Sequence, residues 1–436
     1  MNRTINKVAV IGSGIMGSGI ACHFANIGVE VLLLDIVPRE LNEKEQKKGL
    51  TLEDKEVRNR VVNDSLQNSL KSKPSPIYHK DFANRITTGN LEDDIAKVSE
   101  ADWIIEVVVE RLDIKKQVFE KLEKHRKPGT LITSNTSGIP IKFMNEGRSE
   151  DFQKHFCGTH FFNPPRYLRL FEIIPGPDTS DEVLNFLNDY GKKFLGKKSV
   201  IAKDTPAFIG NRVGIFSIMS LFHMVKDMDM TIEEVDKLTG PVIGRQKSAT
   251  FRTVDVVGLD TLVHVANGLY ENVPEDEAHE LFKLPDFIQT MMDNKWLGSK
   301  TDNTGFYKKV KKEDGSSEIK SLDLDKMEFR DRKSAKFGVL EQTKTIDKLS
   351  DRYKVLIKDE GKAGKFYRKN FSALFAYVSN RIPEITDELY KIDDAMQAGF
   401  GWEHGPFQVW DAIGVEKGIE MMKAEGYEPA AWVSEM

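Results

Sequence analysis

The stretch Lys7–Asp35, KVAVIGSGIMGSGIACHFANIGVEVLLLD, decides the reading of the chain. Lys7 to Ile11 reads as a short buried strand, Ile15 to Ile27 as a helix stopped by Gly28, and Val29 to Leu34 as a second apolar strand ending at Asp35. Strand, helix and strand within about 30 residues make a parallel βαβ unit. The first turn of that unit is Gly12-Ser13-Gly14-Ile15-Met16-Gly17, a GxGxxG run. Each glycine has its own task there. Gly12 permits the tight turn, Gly14 lets the backbone approach a pyrophosphate, and Gly17 lets the helix pack closely on the sheet. The helix start, with Ile15 and Met16 in its first turn, offers unpaired N–H groups to the phosphates. Asp35 can accept hydrogen bonds from an adenosine ribose and would repel a 2′-phosphate, so NAD is expected rather than NADP. The motif alone fits a nicotinamide or a flavin cofactor.

Outward from this unit, strand and helix signals alternate. Ala101–Val109, Thr130–Ser134, Cys157–Phe162, Leu170–Ile174 and Ser199–Ala202 read as strands, and Asp113–His125 and Thr179–Leu195 as helices. The pattern predicts an α/β Rossmann-type doubly wound sheet domain followed by two related all-α modules. The expected divisions are 1–203 for the sheet domain, with a charged helical insertion at about 38–80, then 204–310 for a first helical module, 311–365 for a linker or surface segment, and 366–436 for a second helical module. Two echoes suggest the duplication. Gly210-Asn211-Arg212 is matched by Ser379-Asn380-Arg381, and Asp255 to Asp260 by Asp411 to Glu416, with Phe251 and Phe407 four residues before each Asp.

Composition narrows the function. The 436 residues are 40% hydrophobic and 30% charged with net charge −5, which gives no general attraction for nucleic acid. Two cysteines argue against a disulfide framework, and nine histidines without ligand spacing against a metal site. Val8–Ala21 is broken by four glycines and is not read as a signal peptide, and no run reaches the ~20 apolar residues of a membrane span. A cytoplasmic location is expected.

Alcohol oxidation by hydride transfer needs a base for the hydroxyl proton, and histidine has the suitable pKa range. The candidate is His160, in Gly158-Thr159-His160-Phe161-Phe162-Asn163-Pro164. Glu172 lies inside the apolar run Leu170–Ile174, where an ionisable group needs a partner or a function. A hairpin across the Pro-rich turn would let the two face each other. Taken alone, His160 reads more readily as a core or surface histidine, Ser137 at least as readily as a turn residue or helix cap, and Asn211 equally as a buried polar contact.

The runs VAVIGSGIMGSGIA, ADWIIEVVVERLDIKK, SNTSGIPI, GTHFFNPP, LFEIIPG and KDTPAFIGNR, in this order, resemble the L-3-hydroxyacyl-CoA dehydrogenase family, in particular the dehydrogenase portion of multifunctional fatty-acid oxidation proteins. The resemblance implies NAD-dependent oxidation of L-3-hydroxyacyl-CoA to 3-ketoacyl-CoA in fatty-acid β-oxidation. It implies His160 as acid-base residue, Glu172 as its partner, Ser137 on the substrate 3-oxygen, and Asn211 positioning His160 and substrate. It places Glu110, Lys115 and Asn135 on the cofactor beside Gly12, Gly14, Ile15, Met16, Gly17 and Asp35. It also implies an acyl-CoA substrate contacted by the insertion, a fused or associated enoyl-CoA hydratase, and a monomer or homodimer. Two segments depart from the commoner family forms: Asp302 to Tyr307 (DNTGFY) and Pro165-Arg166-Tyr167. A small 3-hydroxy acid as substrate, or a non-catalytic NAD-binding role, are the competing readings.

Overall fold

Strands that are apolar on both faces must be covered on both faces, which calls for inner strands of a helix-flanked sheet. A computed structural model, described over residues 3–299 and 301–435, builds that sheet from eight strands. They are β1 (Lys7–Ile11), β2 (Glu30–Asp35), β3 (Ile86–Asn90), β4 (Trp103–Glu106), β5 (Leu131–Ser134), β6 (Phe156–Phe161), β7 (Leu170–Pro175) and β8 (Lys198–Ile201). Their order is β3-β2-β1-β4-β5-β6-β7-β8. Strands β1 to β6 run parallel, β7 reverses against β6, and β8 follows β7. Strand order switches direction at β1, and helix α1 (Ile15–Asn26) leaves from that point. The C-terminal ends of β1 and β4 therefore border the crevice where open α/β sheets bind ligands. Val8, Val10, Leu33, Trp103 and Ile105 form the core beneath it.

The chain has two compact units, one running through Phe208 and the other beginning at Ile209. Within the first, the insertion forms short helices at Glu43–Lys47, Lys55–Arg58 and Arg60–Lys71. Two details differ from the sequence reading. Strand β3, ITTGN, was unforeseen because an edge strand needs no continuous apolar run. The run expected as strand to Val109 leaves the sheet after Glu106, where the Val107 carbonyl crosses Gly12. A Cβ on Gly12 would lie 2.5 Å from that oxygen, and Gly12 has φ +101°.

The second unit is helical, with one correction to the expected linker at 311–365. Strands β9 (Tyr307–Lys311), β10 (Ser317–Asp323) and β11 (Glu328–Asp331) form an antiparallel sheet, and helices follow at Gly338–Thr343 and Leu349–Lys358. The polar stretch Lys308–Lys320 reads equally as a linker or a surface hairpin, and the hairpin is what forms; only Leu322 and Ser321 of β10 are buried, while Lys312–Glu318 and Lys320–Asp331 pair at 2.9 and 2.8 Å on the wet face.

The duplication is visible in backbone geometry. Helices Phe251–Val257 and Leu259–Asn272 meet at Gly258 (φ 103°, ψ 124°). Helices Pro406–Ile413 and Val415–Ala424 meet at Gly414 (φ 106°, ψ 131°). In each copy an aspartate caps the first of these helices. Asp236 accepts from the Phe251 N–H at 2.7 Å, and Asp393 from the Phe407 N–H at 2.8 Å. The Asn-Arg echo is not part of this repeat. Asn211 lies at the start of the Gly210–Asp227 helix, whereas Asn380 ends the Lys362–Asn380 helix and bonds back to the Ala376 carbonyl at 3.0 Å. The two arginines still converge, since Arg212 and Arg381 both reach Asp276, at 2.7 and 2.9 Å.

Because a side chain at φ 106° is strained wherever it points, Gly414→Ala should cost about 1–3 kcal/mol. Its added methyl meets only Lys417 Cβ at 3.9 Å, so no clash contributes. Calorimetry should show a melting midpoint lower by about 5 °C; an unchanged midpoint would contradict the backbone assignment.

Candidate active site

Strands β1, β4, β5 and β6 are parallel, so the segments after Ile11, Glu106, Ser134 and Phe161 all emerge on one edge of the sheet. The glycine turn comes first. A Cβ on Gly17 would sit 1.8 Å from the Gly12 carbonyl oxygen, so close packing of α1 on the turn requires Gly17. A Cβ on Gly14 would meet nothing within 4 Å. The protein itself gives no packing reason for Gly14; an approaching ligand does. Helix α1 has no side-chain cap and no acidic residue in its first turn, which suits an anion.

Asp35 ends β2 beside this turn. Its Oδ2 accepts from both the Ser13 N–H and the Ser13 hydroxyl, each at 2.5 Å, and its Oδ1 from the Ile36 N–H at 2.7 Å. The carboxylate is thus held in place while still partly exposed. Ser13 was not singled out from sequence, because the x of a GxG carries no required side chain. Three large apolar side chains stand in water around these strand ends: Ile15, opening α1, at 76%, Ile36 at 61% and Val109 at 59% exposure. Exposed apolar groups at a strand-end crevice mark a surface that a flat ring system can cover.

Beyond β4 lies a buried charge network. Lys115 Nζ sits 2.8 Å from Glu106 and 3.2 Å from Glu110, and the lysine is only 1% exposed. Glu106 also accepts from the Ser134 hydroxyl at 2.5 Å and the Val108 N–H at 2.7 Å. Burial raises the Glu106 pKa against the pull of Lys115. At Glu110 burial again pushes upward, but Lys115 and donors from Thr136 and Ser137 outweigh it and hold the carboxyl low. Glu110 accepts from the Thr136 hydroxyl (2.6 Å) and the Ser137 N–H (2.9 Å), so it shapes the turn that presents Ser137. Asn135 ties that turn to β6, its side-chain oxygen accepting from the Phe161 N–H at 2.9 Å. Lys115 is therefore an internal clamp here, and Glu110 is the more open member. Glu106, central to the clamp, was missed although it lies inside the apolar run Ala101–Val109, the same signal that singled out Glu172.

One residue before Phe161 stands His160. In the antiparallel β6–β7 register His160 lies directly opposite Glu172, and Nδ1 is 2.7 Å from Oε2. Both are buried, at 6% and 0% exposure. An ionised carboxylate can only accept, so Nδ1 carries the proton and Nε2 is left as acceptor in the neutral ring. The rings of Phe162 and Phe208 flank the imidazole at 4.6 and 5.7 Å. This arrangement can move a proton at Nε2 while Glu172 fixes the tautomer. Asn211 belongs to the second unit, at the head of the Gly210–Asp227 helix. Among the described residues no group of three or more His, Cys, Asp or Glu could hold a metal, and no helix is long and apolar enough to cross a membrane.

Comparison with known proteins gives this edge of the sheet a family context. Residues 7–205 match the family described as 3-hydroxyacyl-CoA dehydrogenase, NAD binding domain. Residues 208–309 match 3-hydroxyacyl-CoA dehydrogenase, C-terminal domain. A probable 3-hydroxyacyl-CoA dehydrogenase of Bacillus subtilis is 47% identical over all of this chain and 54% of its own length. A putative fatty acid oxidation complex trifunctional enzyme of Rickettsia prowazekii is 31% identical over 97% of this chain and 55% of its own. The chain thus spans about half the length of these curated relatives. The fold is similar to that of 3-hydroxybutyryl-CoA dehydrogenase from Escherichia coli, with a TM-score of 0.68, 20% identity, and coverage of 99% of this chain and 98% of that one. With both family domains matched in chain order over more than half of its residues, the chain belongs to the 3-hydroxyacyl-CoA dehydrogenase family.

Proposed function

We propose that this chain catalyses the NAD-dependent oxidation of L-3-hydroxyacyl-CoA to 3-ketoacyl-CoA, and the reverse reduction, with His160 as its acid-base residue. The observation that carries the reading is the buried 2.7 Å His160–Glu172 pair on the edge of the sheet where the glycine turn opens. NAD, when bound, supplies the hydride acceptor. Gly12, Gly14 and Gly17 with the first turn of α1 hold its pyrophosphate, Asp35 its adenosine ribose, and Glu110, Lys115 and Asn135 shape the nicotinamide end. The open space over Gly14 and the uncapped helix fit that group.

His160 takes the substrate hydroxyl proton on Nε2 during oxidation and returns it during reduction. Glu172 accepts from Nδ1–H throughout, orients the ring and stabilises the imidazolium that forms. Ser137 donates to the 3-oxygen, and Asn211 positions His160 and the substrate. The two phenylalanines beside the imidazole limit water around the proton in transit. The helical insertion at about 38–80 holds the coenzyme A moiety. The division at 203 and 310 and the second helical module from 366 belong to the same reading. So do a cytoplasmic setting, a monomer or homodimer, and an enoyl-CoA hydratase fused to or associated with this chain.

Two experiments test this. His160→Gln should lower kcat for NADH-linked reduction of acetoacetyl-CoA by about 10²–10⁴-fold while NADH still binds. Wild-type turnover of free acetoacetate at the same rate would instead favour a small 3-hydroxy acid as substrate. NADH binding with no turnover of any 3-ketoacyl-CoA would favour a non-catalytic role. Separately, Gly14→Ala should fold normally and bind NADH at least about tenfold more weakly, because its methyl enters the ligand's space. An unchanged Kd would remove the glycine turn from the cofactor site.

A further inference from the structure

Lys197 stands just before β8 and is 5% exposed. Its ammonium donates to the carbonyl oxygens of Pro165 and Leu168, the second at 2.6 Å. No carboxylate pairs with it among the described residues. Its ionisable neighbours are basic: Arg169 on the loop it holds and His23 on α1, which also lies near Arg166. Burial, followed by Arg169, pushes the lysine pKa down to about 8, and burial, followed by Lys197, takes His23 down to about 4. A base whose folded pKa is depressed costs stability wherever it is charged. Here that is below about pH 8, and the cost is recovered as the pH climbs towards the unfolded lysine range. Stability alone therefore gives no reason for a charged lysine at this position.

Its two acceptors give a geometric reason. Pro165 and Leu168 lie in the loop joining β6 to β7, the hairpin that sets His160 opposite Glu172. The same loop packs against α1, where a Cβ on Gly19 would lie 3.0 Å from Pro165 Cδ. It also grips the end of the helical insertion. Arg166 donates to the Ser75 and Ile77 carbonyls at 2.7 and 3.1 Å, and the Tyr167 hydroxyl to Ser75 at 3.0 Å. Lys197 ties the middle of this loop, at Pro165, to Leu168 near its β7 end, alongside the turn in which the Tyr167 and Leu168 N–H groups donate to the Pro164 carbonyl. At the β6 end Phe162 leans on the imidazole, with ring centres 4.6 Å apart.

We propose that Lys197 is a positioning residue whose protonated amine gathers the tip of the β6–β7 hairpin and so fixes the His160–Glu172 pair, without touching substrate or cofactor. The inference rests on the reading of His160 given above.

The test compares wild type, Lys197→Met and Lys197→Arg in acetoacetyl-CoA reduction from about pH 6 to 10, with melting midpoints and hydrogen–deuterium exchange at neutral pH. Lys197→Met should lose about tenfold or more in kcat, as small misplacements at a reaction centre do. Its KM for NADH should hold within about twofold and its midpoint within about 5 °C, since the variant removes the cost of the buried charge along with the two hydrogen bonds. Amides of 162–169 should exchange faster in it. In the oxidation direction, with 3-hydroxybutyryl-CoA and NAD, where His160 acts as the base, wild-type kcat should decline as the pH rises through about 8, a limb that Lys197→Met lacks and Lys197→Arg shifts upward. Unchanged kcat and exchange in a folded Lys197→Met would overturn the inference, as would a kcat loss that simply tracks a collapsed midpoint. If wild type has no turnover at all, the functional reading fails instead. The exchange at 162–169 then still decides whether Lys197 orders the hairpin.

Discussion

A single cross-strand contact organises this protein: a carboxylate with no exposure to water, placed opposite an imidazole by strand register. A buried ionised carboxylate is expensive unless paired, so Glu172 requires His160 as much as His160 uses Glu172. The contact explains why a sheet that is parallel through β6 reverses at β7. A hairpin sets residues twelve apart in sequence face to face, whereas a parallel crossover would send the second strand away through a helix. The reversal also places the pair on the edge of the sheet where the glycine turn opens.

Around that pair, side chains divide into those the fold needs and those it does not. Gly12 and Gly17 are fixed as glycine because a Cβ on either would lie 2.5 or 1.8 Å from a backbone carbonyl oxygen. Gly14 has no such constraint, and the apolar side chains of Ile15, Ile36 and Val109 are left facing water. Other apolar side chains are exposed elsewhere, Phe194 and Val256 among them, but these three share the strand-end crevice with the glycine turn. Lys115, Glu106 and Glu110 show the converse, since their charges satisfy one another and hold the turn at Asn135–Ser137.

The fold was legible wherever burial acts on a continuous run. β1, β2, β4, β5, β6 and β7 are apolar on both faces and could be read directly, as could the hairpin that pairs residues 160 and 172. β3 and β11 were not, and the β9–β10 hairpin was legible only as one of two options for Lys308–Lys320, a linker or a surface hairpin, because edge and surface strands are stabilised by cross-strand pairs of polar residues that mimic a linker in composition. The duplication was half legible. The Phe–Asp–Gly spacing corresponds to matching glycine dihedrals, whereas the Asn-Arg match was a coincidence of letters at opposite helix ends. The internal role of Lys115 and the contribution of Ser13 depend on which side chains meet across 9 and 22 residues of sequence, which no local pattern encodes.

The most direct measurement is the protonation pattern of the His160 ring by ¹⁵N NMR in the folded protein, assigned by loss of its signals in a His160 variant. The account predicts a neutral ring with the proton on Nδ1 and a bare Nε2, and a change in that pattern when Glu172 becomes Gln. A ring protonated on Nε2, or one indifferent to residue 172, would contradict it.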